Sequence, residues 1–502
     1  MKNTFNLSLW ALQNSALVNY FTIIAFVFGT FAYFSLGQNE DPPFTFRAMV
    51  VETEWPGADA LQMSKQVSDP IERALQKIPH REKITSFARS GISTVIIEIR
   101  GDIKPSDVKM IWLDVRKKVN DIQSLLPNGV LKSRFNDDFG DTYGTIFGLR
   151  TSQYNFQQID DVIKKIRYDL LSLNDVAKVE IFGQEPEVVY IELSRRNLSK
   201  FDLSIENVKS QIKKQNSTYL SGELDQQSYI FPIRLENQFK SIDEIKNLRI
   251  KTNEDVIKLD EISKVFQNSP NPFVKKIRFN GEKIIGIGVS MRKGGDIVTL
   301  GKKLKNYMEL NKKNLPVGMQ IIEIQDQSKV VSETIGEFIK AFFEAVLIVL
   351  TVSLVVLGIK KENKKIHFRV IPGIVVFFSV PLVMFFTFLI MNLFQISLNK
   401  ISLGALIISL GLLVDDAIIV VEMIFRKLDE GKNLIRSVIS SYEITAKPML
   451  IGTLITASGF LPIGIAKSTV GEYTFGIFAV TTISLLCSWI VAVVFVPIFS
   501  FW

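Results

Sequence analysis

The sequence contains very few of the side chains that enzymes use to bind transition metals or to attack substrates. Its 502 residues include one cysteine, Cys487, and two histidines, His80 and His367. A single cysteine excludes an intramolecular disulfide, and so small a set of thiol and imidazole groups argues against a Cys/His zinc site. Without a cysteine nucleophile or a Ser-His-Asp set, we expect no enzyme, no cofactor and no metal site.

Long stretches without charge are the main feature that the sequence does contain. Hydrophobic residues make up 47% of the chain and charged residues 22%, which predicts membrane spans combined with a large water-soluble part. Six apolar runs lie at residues 16–36, 338–358, 370–393, 400–424, 447–466 and 475–501. Each is close to the ~20 residues that cross about 30 Å of hydrocarbon. The first run is too long for the apolar part of a signal peptide, so we interpret it as an uncleaved anchor.

The distribution of positive charge predicts the orientation of these spans. Basic side chains are concentrated in two of the short loops, at Lys360, Lys361, Lys364, Lys365 and Arg369, and at Arg426, Lys427, Lys432, Arg436 and Lys447. Loops of this kind lie preferentially in the cytoplasm, which puts the N-terminus inside and residues 38–335 outside. Because much of the net charge of +8 lies beside the spans, we expect no nucleic-acid partner.

The outside region has the sequence pattern of an α/β protein. Alternating strands and amphipathic helices between residues 48 and 135 follow a β-α-β-β-α-β order. A similar pattern begins at Thr142 and resumes near Ile277, and residues 184–272 between its parts are interpreted as an inserted domain. The predicted fold is an α-helical bundle of six transmembrane helices with a large extracytoplasmic α/β region of ferredoxin-like repeats.

Two adjacent carboxylates, Asp415 and Asp416, interrupt the apolar run at 400–424. A carboxylate at the centre of a bilayer costs about 2.5–3.5 kcal/mol on insertion scales, so such residues usually serve a function. Two carboxylates this close cannot both ionise cheaply and should exchange protons as a coupled pair. We predict a proton relay. The alternative interpretation is a pairing or helix-capping role, or a buried helix of a soluble domain.

Other residues in the spans could contribute to this site. Gly404 and Gly411 share a helix face with Asp415, and such small residues let another helix approach closely and bury the carboxylate. Three polar residues in other spans could support the relay: Glu344, Thr453 and Thr456. The competing interpretation is that the glutamate reaches the membrane interface and that the threonines bond their own helix backbone.

The stretch Gly411-Leu-Leu-Val-Asp-Asp-Ala-Ile-Ile-Val-Val-Glu422 resembles the fourth-helix signature of the resistance-nodulation-division (RND) efflux pumps. Other stretches resemble further family positions in the same order: Asp41-Pro-Pro43, Glu54-Trp-Pro-Gly-Ala-Asp59, Val179-Glu-Ile-Phe-Gly183 and Gly471-Glu-Tyr473. The resemblance covers the whole chain. It implies a proton/substrate antiporter of the cell inner membrane that forms a homotrimer and works with a periplasmic adaptor protein and an outer-membrane channel.

The resemblance also implies a division of the chain into domains. Residues 1–37 would be an N-terminal amphipathic segment and the first span, and residues 331–502 the remaining five spans. The outside region would comprise a first porter subdomain at 38–135, a second at 136–183 and 273–330, and an inserted docking subdomain at 184–272.

The pair of aspartates resembles the multidrug, or hydrophobe/amphiphile, branch of the family. Heavy-metal exporters typically have glycine in place of the second aspartate, which is Asp416 here. The substrates implied are amphiphilic small organic molecules. Three aromatic residues would line their pocket: Phe182, Tyr143 and Phe273. The competing interpretation is that these rings belong to the cores of their domains.

One departure from the family pattern concerns the length of the chain and the number of its spans. Family members are about twice this long, have twelve spans, and pair their aspartates with a lysine in the tenth span. This sequence ends at Trp502 and has no such lysine in its spans. We therefore expect either a truncated product or a separately encoded second half of the permease as a partner. A different function also stays open, that of a membrane-anchored lipid- or protein-export factor of the same superfamily without drug transport.

Overall fold

The computed structural model describes residues 6–138, 142–151, 156–184, 187–226, 229–236, 238–252, 255–270, 275–292, 294–362 and 365–500. The chain begins with two helices, α1 (Leu7–Gln13) and α2 (Ser15–Ser35). The side chain of Asn6 begins α1 by accepting a hydrogen bond from the backbone N–H of Leu9. The short α1 is amphipathic, and its buried Ser8 donates a hydrogen bond of 2.6 Å to the carbonyl of Val493 in the helical bundle.

The first α/β unit is built on a four-stranded antiparallel sheet. Its elements are β1 (Ala48–Glu54), α3 (Ala60–Met63), a π-helical turn (Ser64–Ser68), α4 (Asp69–Leu75), β2 (Arg81–Arg89), β3 (Ile92–Ile99), α5 (Pro105–Asp121), a 3₁₀ turn (Gln123–Leu125) and β4 (Arg134–Asn136). The strands lie in the order β2-β3-β1-β4. Every second residue of β1 and β3 is buried, because alternate side chains of a strand point to the same face. Ile71 of α4 and Val115 of α5 pack into the same core.

The second α/β unit is divided along the sequence by an insertion. Its first part is β5 (Tyr143–Arg150), α6 (Phe156–Leu171) and β6 (Val176–Phe182). The insertion contains β7 (Val188–Leu193), α7 (Arg195–Lys200), α8 (Ile205–Gln215), β8 (Thr218–Gln226), β9 (Tyr229–Glu236), α9 (Ile242–Lys246), β10 (Arg249–Lys251), β11 (Val256–Lys258), α10 (Leu259–Ile262) and β12 (Ser263–Asn268). Its own hydrophobic core includes Val208, Ile250 and Ile262.

The chain then returns to the second sheet. The returning elements are β13 (Ile277–Phe279), β14 (Glu282–Met291), α11 (Ile297–Lys312) and β15 (Gln320–Asp326). In the sheet β14 lies between β6 and β5, and β5 also pairs with β15. This sheet has a fifth strand, the short β13, which pairs with the start of β14. Apart from β13, the order β6-β14-β5-β15 repeats that of the first sheet, with the second, third, first and fourth strands side by side. The two units therefore have the same topology, although residue-level similarity between them is not evident.

The rest of the chain is mainly helical. It consists of α12 (Gln327–Gly358), a hairpin of β16 (Ile359–Glu362) and β17 (Lys365–Phe368), α13 (Ile371–Leu393), α14 (Lys400–Asp429), α15 (Leu434–Ile465), α16 (Thr469–Val494) and α17 (Val496–Phe499). Six helices of the described chain, namely α2, α12, α13, α14, α15 and α16, have the length and apolar composition needed to cross a membrane. Helix α12 begins at the residue after β15, so the second α/β unit and the bundle are joined without a loop.

The spans extend beyond the apolar runs from which they were predicted. Helix α15 begins at Leu434, about three turns before the run at 447–466, and the side chain of Asn433 caps its first turn. Helix α16 begins at Thr469, where Ser468 accepts a hydrogen bond from the N–H of Gly471. Hydropathy marks only the part of a helix that lies in hydrocarbon, whereas capping side chains determine where its hydrogen bonds begin.

Candidate functional site

The paired aspartates lie halfway along helix α14. Asn399 begins this helix by accepting hydrogen bonds from the N–H groups of Ile401 and Ser402, at 3.0 and 2.9 Å. Asp415 is therefore about 22 Å along the axis from the first helical residue, at a rise of about 1.5 Å per residue. Helix α14 packs against α13, α15 and α16. The two carboxylates thus lie far from either end of the helix.

A cavity of about 410 Å³ brings both aspartates together with side chains of α15 and α16. Its lining consists of Leu412, Asp415, Asp416, Ile419, Ile444, Thr445, Pro448, Met449, Gly452, Thr453, Thr456 and Leu485. Asp415 is exposed on the open side of the cavity, and Asp416 is partly buried. The two adjacent residues consequently have different surroundings, because successive side chains on a helix point about 100° apart.

Two hydroxyl groups lie near the Asp416 carboxylate, those of Ser488 on α16 and Thr453 on α15. In the structure the Ser488 hydroxyl donates to the carbonyl of Leu413, and the Thr453 hydroxyl donates to the carbonyl of Met449, each at 2.9 Å. A hydroxyl has a single hydrogen and rotates to suit its acceptors. Each can therefore donate either to its carbonyl or to Asp416, according to the charge of the carboxylate.

A proline adds a further polar group to the cavity. Pro448 lies inside helix α15 and has no amide hydrogen, so the carbonyl of Ile444 lacks its usual helical partner. Both residues line the cavity. An unsatisfied carbonyl in hydrocarbon costs several kcal/mol. Because Ile444 lines the same cavity as the aspartates, its carbonyl can share their polar surroundings.

The glycine face of α14 is open within this chain. A methyl group added at Gly404 or at Gly411 would meet no atom within 4 Å. No helix of the described residues approaches these glycines closely, so the expected contact that would bury Asp415 stays a prediction. The glycines lie on a side of α14 that does not contact α13 or α16. The periodicity of one sequence does not show which sides of a helix have neighbours.

The supporting residues expected from the sequence are only partly in place. Thr456 lines the cavity but donates its hydroxyl to the carbonyl of Gly452, at 3.0 Å. Glu344 has an exposed side chain on α12 and lies 3.9 Å from Lys340, one turn earlier. It is not part of the cavity lining. Within the described residues Glu344 is therefore not part of the polar surroundings of the aspartates.

The expected aromatic residues Tyr143 and Phe182 lie side by side in the second sheet. Their ring centroids are 5.1 Å apart and nearly perpendicular, at 83°, an arrangement that aromatic quadrupoles favour. Gly288 of β14 makes room for them, since a methyl group there would lie 2.7 Å from Phe182 and 2.8 Å from Tyr143. The Tyr143 hydroxyl donates to Glu180 and holds the pKa of that carboxyl below its usual range. Phe273 lies outside the described residues.

Sequence reasoning did not identify Ser488 or Pro448 as part of the site. A signal for Ser488 is present, because Thr481, Ser484 and Ser488 recur at intervals of three and four residues and are all buried. Such a spacing places them on one face of α16. Which helix that face meets is determined by tertiary packing, and the hydroxyl stripe alone does not indicate Asp416 as the partner.

Comparisons with known proteins agree with the architecture. A model of the AcrB/AcrD/AcrF family matches residues 7–502. An uncharacterized transporter of Haemophilus influenzae is 26% identical over 482 residues, which cover 95% of this chain and 45% of the relative. Multidrug export protein AcrF of Escherichia coli is 26% identical over 496 residues, covering 95% and 46%. Cation efflux system protein CzcA of an Alcaligenes species is 23% identical over 497 residues, covering 93% and 45%.

This chain spans somewhat less than half the length of these relatives. The family match nevertheless includes both α/β units, the insertion and all six candidate spans. The protein belongs to the AcrB/AcrD/AcrF family of RND permeases.

Proposed function

We propose that this chain is the N-terminal half of an inner-membrane antiporter subunit that exports amphiphilic organic compounds in exchange for protons. The observation that carries the proposal is the carboxylate pair in the middle of α14, beside a cavity with hydroxyl groups from two other helices. A carboxylate in a membrane span is expensive to keep and commonly belongs to a proton pathway. The family match supports a transporter in place of an enzyme.

The geometry gives the relay a simple mechanism. When Asp416 is ionised, the hydroxyls of Ser488 and Thr453 donate to it and draw α16 and α15 towards α14. When Asp416 takes up a proton, it needs fewer donors, and the hydroxyls return to the carbonyls of Leu413 and Met449. A proton that crosses the membrane through this site releases about 2.3 kcal/mol per 100 mV of potential. Proton movement thereby changes how three helices pack.

The charged loops support an inner-membrane protein with its α/β region in the periplasm. The basic residues lie in the hairpin between α12 and α13, in the last turn of α14, at Lys432 between α14 and α15, and in the first half of α15. Short positive segments of this kind stay in the cytoplasm. In this orientation the two units of identical strand order are ferredoxin-like porter subdomains, at 38–135 and at 136–183 with 273–330. The insertion at 184–272 is the docking subdomain.

The names of the relatives state different substrate classes. The proposed substrate class is therefore argued from residues of this chain. AcrF is named a multidrug export protein and CzcA a cation efflux protein, at similar identity. Asp416 occupies the position where heavy-metal exporters typically have glycine. The partly buried pair of Tyr143 and Phe182 offers aromatic surface to an organic molecule. These features favour amphiphilic compounds over metal ions.

The partners follow from the same proposal. The open face of α14 accommodates the second half of the permease, and the complete subunit forms a homotrimer. The docking subdomain contacts the periplasmic adaptor and the outer-membrane channel. These assemblies are those that the family resemblance implies.

Substitution of the aspartates in the complete pump tests the proposal. Cells without other efflux pumps should extrude a fluorescent amphiphilic dye when they express the unaltered pump, and should lose extrusion with Asp415→Asn or Asp416→Asn at equal expression and assembly. Glu344→Gln, which removes an exposed carboxylate from another span, is the matched control and should extrude normally. Normal extrusion by both aspartate variants would refute the relay, and export of metal ions without dyes would refute the substrate class.

A further inference from the structure

Helix α16 is attached to the first α/β unit by a partly buried ion pair. The guanidinium of Arg47 donates to Glu472 at 2.8 Å, and the side chains are only 7% and 23% exposed. Arg47 also donates to the carbonyls of Ile103, at 2.9 Å, and Thr45, at 2.9 Å. The other oxygen of Glu472 accepts from the N–H and the hydroxyl of Thr45, at 3.0 and 2.8 Å. We call these residues the α16 joint.

The α16 joint is more than a surface ion pair. Exposed ion pairs contribute little, whereas a buried charge requires a complete set of partners and is strongly destabilised when one is removed. Arg47 directly precedes β1, and Ile103 lies two residues before α5. The joint therefore fixes the outer end of α16 to two separate points of the first α/β unit.

A second joint attaches α14 to the second α/β unit. Glu40 accepts from Lys400, the first residue of α14, at 2.5 Å and from Gln327, the first residue of α12, at 2.7 Å. The backbone of residues 37–40 pairs with residues 398–400. The carbonyl of Gln38 also accepts from the N–H of Ile297 at the start of α11, at 3.0 Å. Because α12 continues from β15, this α14 joint links α14 to the second unit.

One short segment connects the two joints. Asp41, Pro42, Pro43 and Phe44 lie between Glu40 and Thr45. Asp41 accepts a hydrogen bond from the hydroxyl of Tyr473 at 2.7 Å, and the Phe44 ring lies edge-on to that of Tyr473 at 5.8 Å. Consecutive prolines have fixed φ angles and form stiff, extended segments. The segment can therefore transmit a displacement from one joint to the other, because it is too stiff to absorb the displacement by bending.

The same two helices meet at the proposed relay. Asp416 belongs to α14, and Ser488, which can donate to it, belongs to α16. At their outer ends α14 is attached to the second α/β unit and α16 to the first. Any change in how α14 and α16 pack at Asp416 therefore acts on two different soluble units.

We propose that these joints convert the change at Asp416 into a movement of the two α/β units relative to each other, with Arg47 and Glu472 as positioning residues. This inference rests on the proposed proton relay. A merely structural attachment would hold the protein together but would not determine whether the soluble units respond to Asp416. The test must therefore measure that response.

The test is a distance measurement in the complete, trimeric pump. Spin labels are placed on cysteines that replace Lys65 in the first unit and Asn306 in the second, both of which are exposed, in a Cys487→Ala background. Labelled protomers are diluted with unlabelled ones, so that distances within one protomer dominate. Asp416→Asn, which imitates the neutral carboxyl, should shift the distance distribution.

Removal of the α16 joint should abolish that shift. In Glu472→Ala or Arg47→Ala, the additional change Asp416→Asn should leave the distance distribution unaltered. Transport by either joint variant should fall on the order of tenfold, a factor typical of coupling between sites. Asp69→Ala, which removes an exposed ion pair with Arg73 in the same unit, is the matched control and should retain the shift. Thr45→Val keeps the ion pair but removes one donor to Glu472, and should reduce the shift in protein that assembles normally.

The outcomes separate this inference from the proposed function. An undiminished shift in Glu472→Ala, or in Thr45→Val if the former fails to assemble, overturns the coupling role and leaves the relay intact. The coupling role is also overturned if Asp416→Asn abolishes transport but does not shift the distance distribution in a pump whose α16 joint is intact. Normal transport in Asp416→Asn would instead contradict the proposed function itself.

Discussion

At the scale of single residues, Asp415 and Asp416 are adjacent in sequence but differ in their surroundings. Asp416 faces the hydroxyls of Ser488 and Thr453, whereas Asp415 is on the open side of the cavity. Hydrogen bonds to a charged group stabilise that form by about 1.5–3 kcal/mol each. In the proposed relay, Asp416 is therefore the carboxylate whose charge the hydroxyls of this chain would influence.

The two threonines of the cavity provide a prediction about the hydroxyl contact. Thr453→Val removes a donor to Asp416 and should lower transport by on the order of tenfold, as expected for one hydrogen bond to a charged group. Thr456→Val, its matched control one turn along α15, removes a hydroxyl that bonds Gly452 and should change transport by less than about twofold. Dye efflux from cells is the measurement, and equal effects of the two variants would contradict the assignment.

Gly288 provides a prediction about the aromatic pair. A methyl group at this position would lie under 3 Å from both Phe182 and Tyr143, so Gly288→Ala must displace the rings and should destabilise the unit by about 1–3 kcal/mol. We expect altered relative resistance to aromatic and non-aromatic compounds. Gly336→Ala, where a methyl group meets no atom within 4 Å, is the control. An unchanged resistance profile in Gly288→Ala would argue for a core role of the rings.

Single residues also differ in how well the sequence predicts them. Asp415 and Asp416 are recognisable because charges are rare in an apolar run. The position of Glu344 outside the polar surroundings of the aspartates was not predicted, since hydropathy indicates that a helix crosses the membrane but not which of its faces is inward. Lys340, one turn earlier, is the feature that could have indicated an exposed face. Ser488 was missed because its partner belongs to another helix.

At the scale of elements, the ends of the spanning helices are determined by specific contacts, which the hydropathy of their apolar centres does not predict. All six candidate spans were predicted from hydropathy, yet their outer ends depend on individual contacts. Lys400 begins α14 against Glu40, and Glu472 in the first turn of α16 binds Arg47. Polar residues at the end of a span resemble ordinary interfacial residues in the sequence. Only the folded chain brings residue 40 to residue 400.

The α14 joint provides a prediction about pH. The hydrogen bond from Lys400 holds the pKa of Glu40 below its usual range, so the carboxylate is favoured in the folded state. Its stabilising effect is fully present above the unfolded carboxyl pKa of about 4.3 and is lost as the pH falls through the folded value. Glu40→Gln should therefore lower the thermal unfolding midpoint at pH 7, and the difference should shrink below pH 4.

The matched control for this pH dependence is Glu309→Gln, an exposed glutamate of α11. It should leave the midpoint nearly unchanged at both pH values, because surface charges of this kind contribute little. A Glu40→Gln difference that is equally large at pH 7 and below pH 4 would exclude the carboxylate as the source of the stabilisation.

At the scale of the whole molecule, a glycine-rich face lies open beside the cavity. Methyl groups added at Gly404, Gly411, Gly452 or Gly459 on α14 and α15 would meet no atom within 4 Å. Small residues on membrane helices are typical of close helix contacts. No basic side chain lines the cavity among the described residues. Both features suit a second membrane domain that supplies a helix and a cation.

Residues 1–502 alone are therefore predicted not to transport. Proteoliposomes that contain only this chain should show no proton-driven dye movement, because no basic side chain among the described residues lines the cavity to pair with Asp415 when it loses its proton. Proteoliposomes with the complete pump are the positive control. Proton-driven efflux by residues 1–502 alone would contradict the half-pump proposal and would indicate that two copies pair through the glycine face.

Proton flux through the complete pump is the most direct test of the relay. The pump is reconstituted into vesicles with a pH-sensitive dye inside, a proton gradient is imposed, and the flux that added substrate induces is recorded. We predict substrate-induced flux in the unaltered pump and in Thr456→Val, and none in Asp415→Asn or Asp416→Asn. Substrate-induced proton flux that persists in both aspartate variants would contradict the central claim that these carboxylates carry the proton.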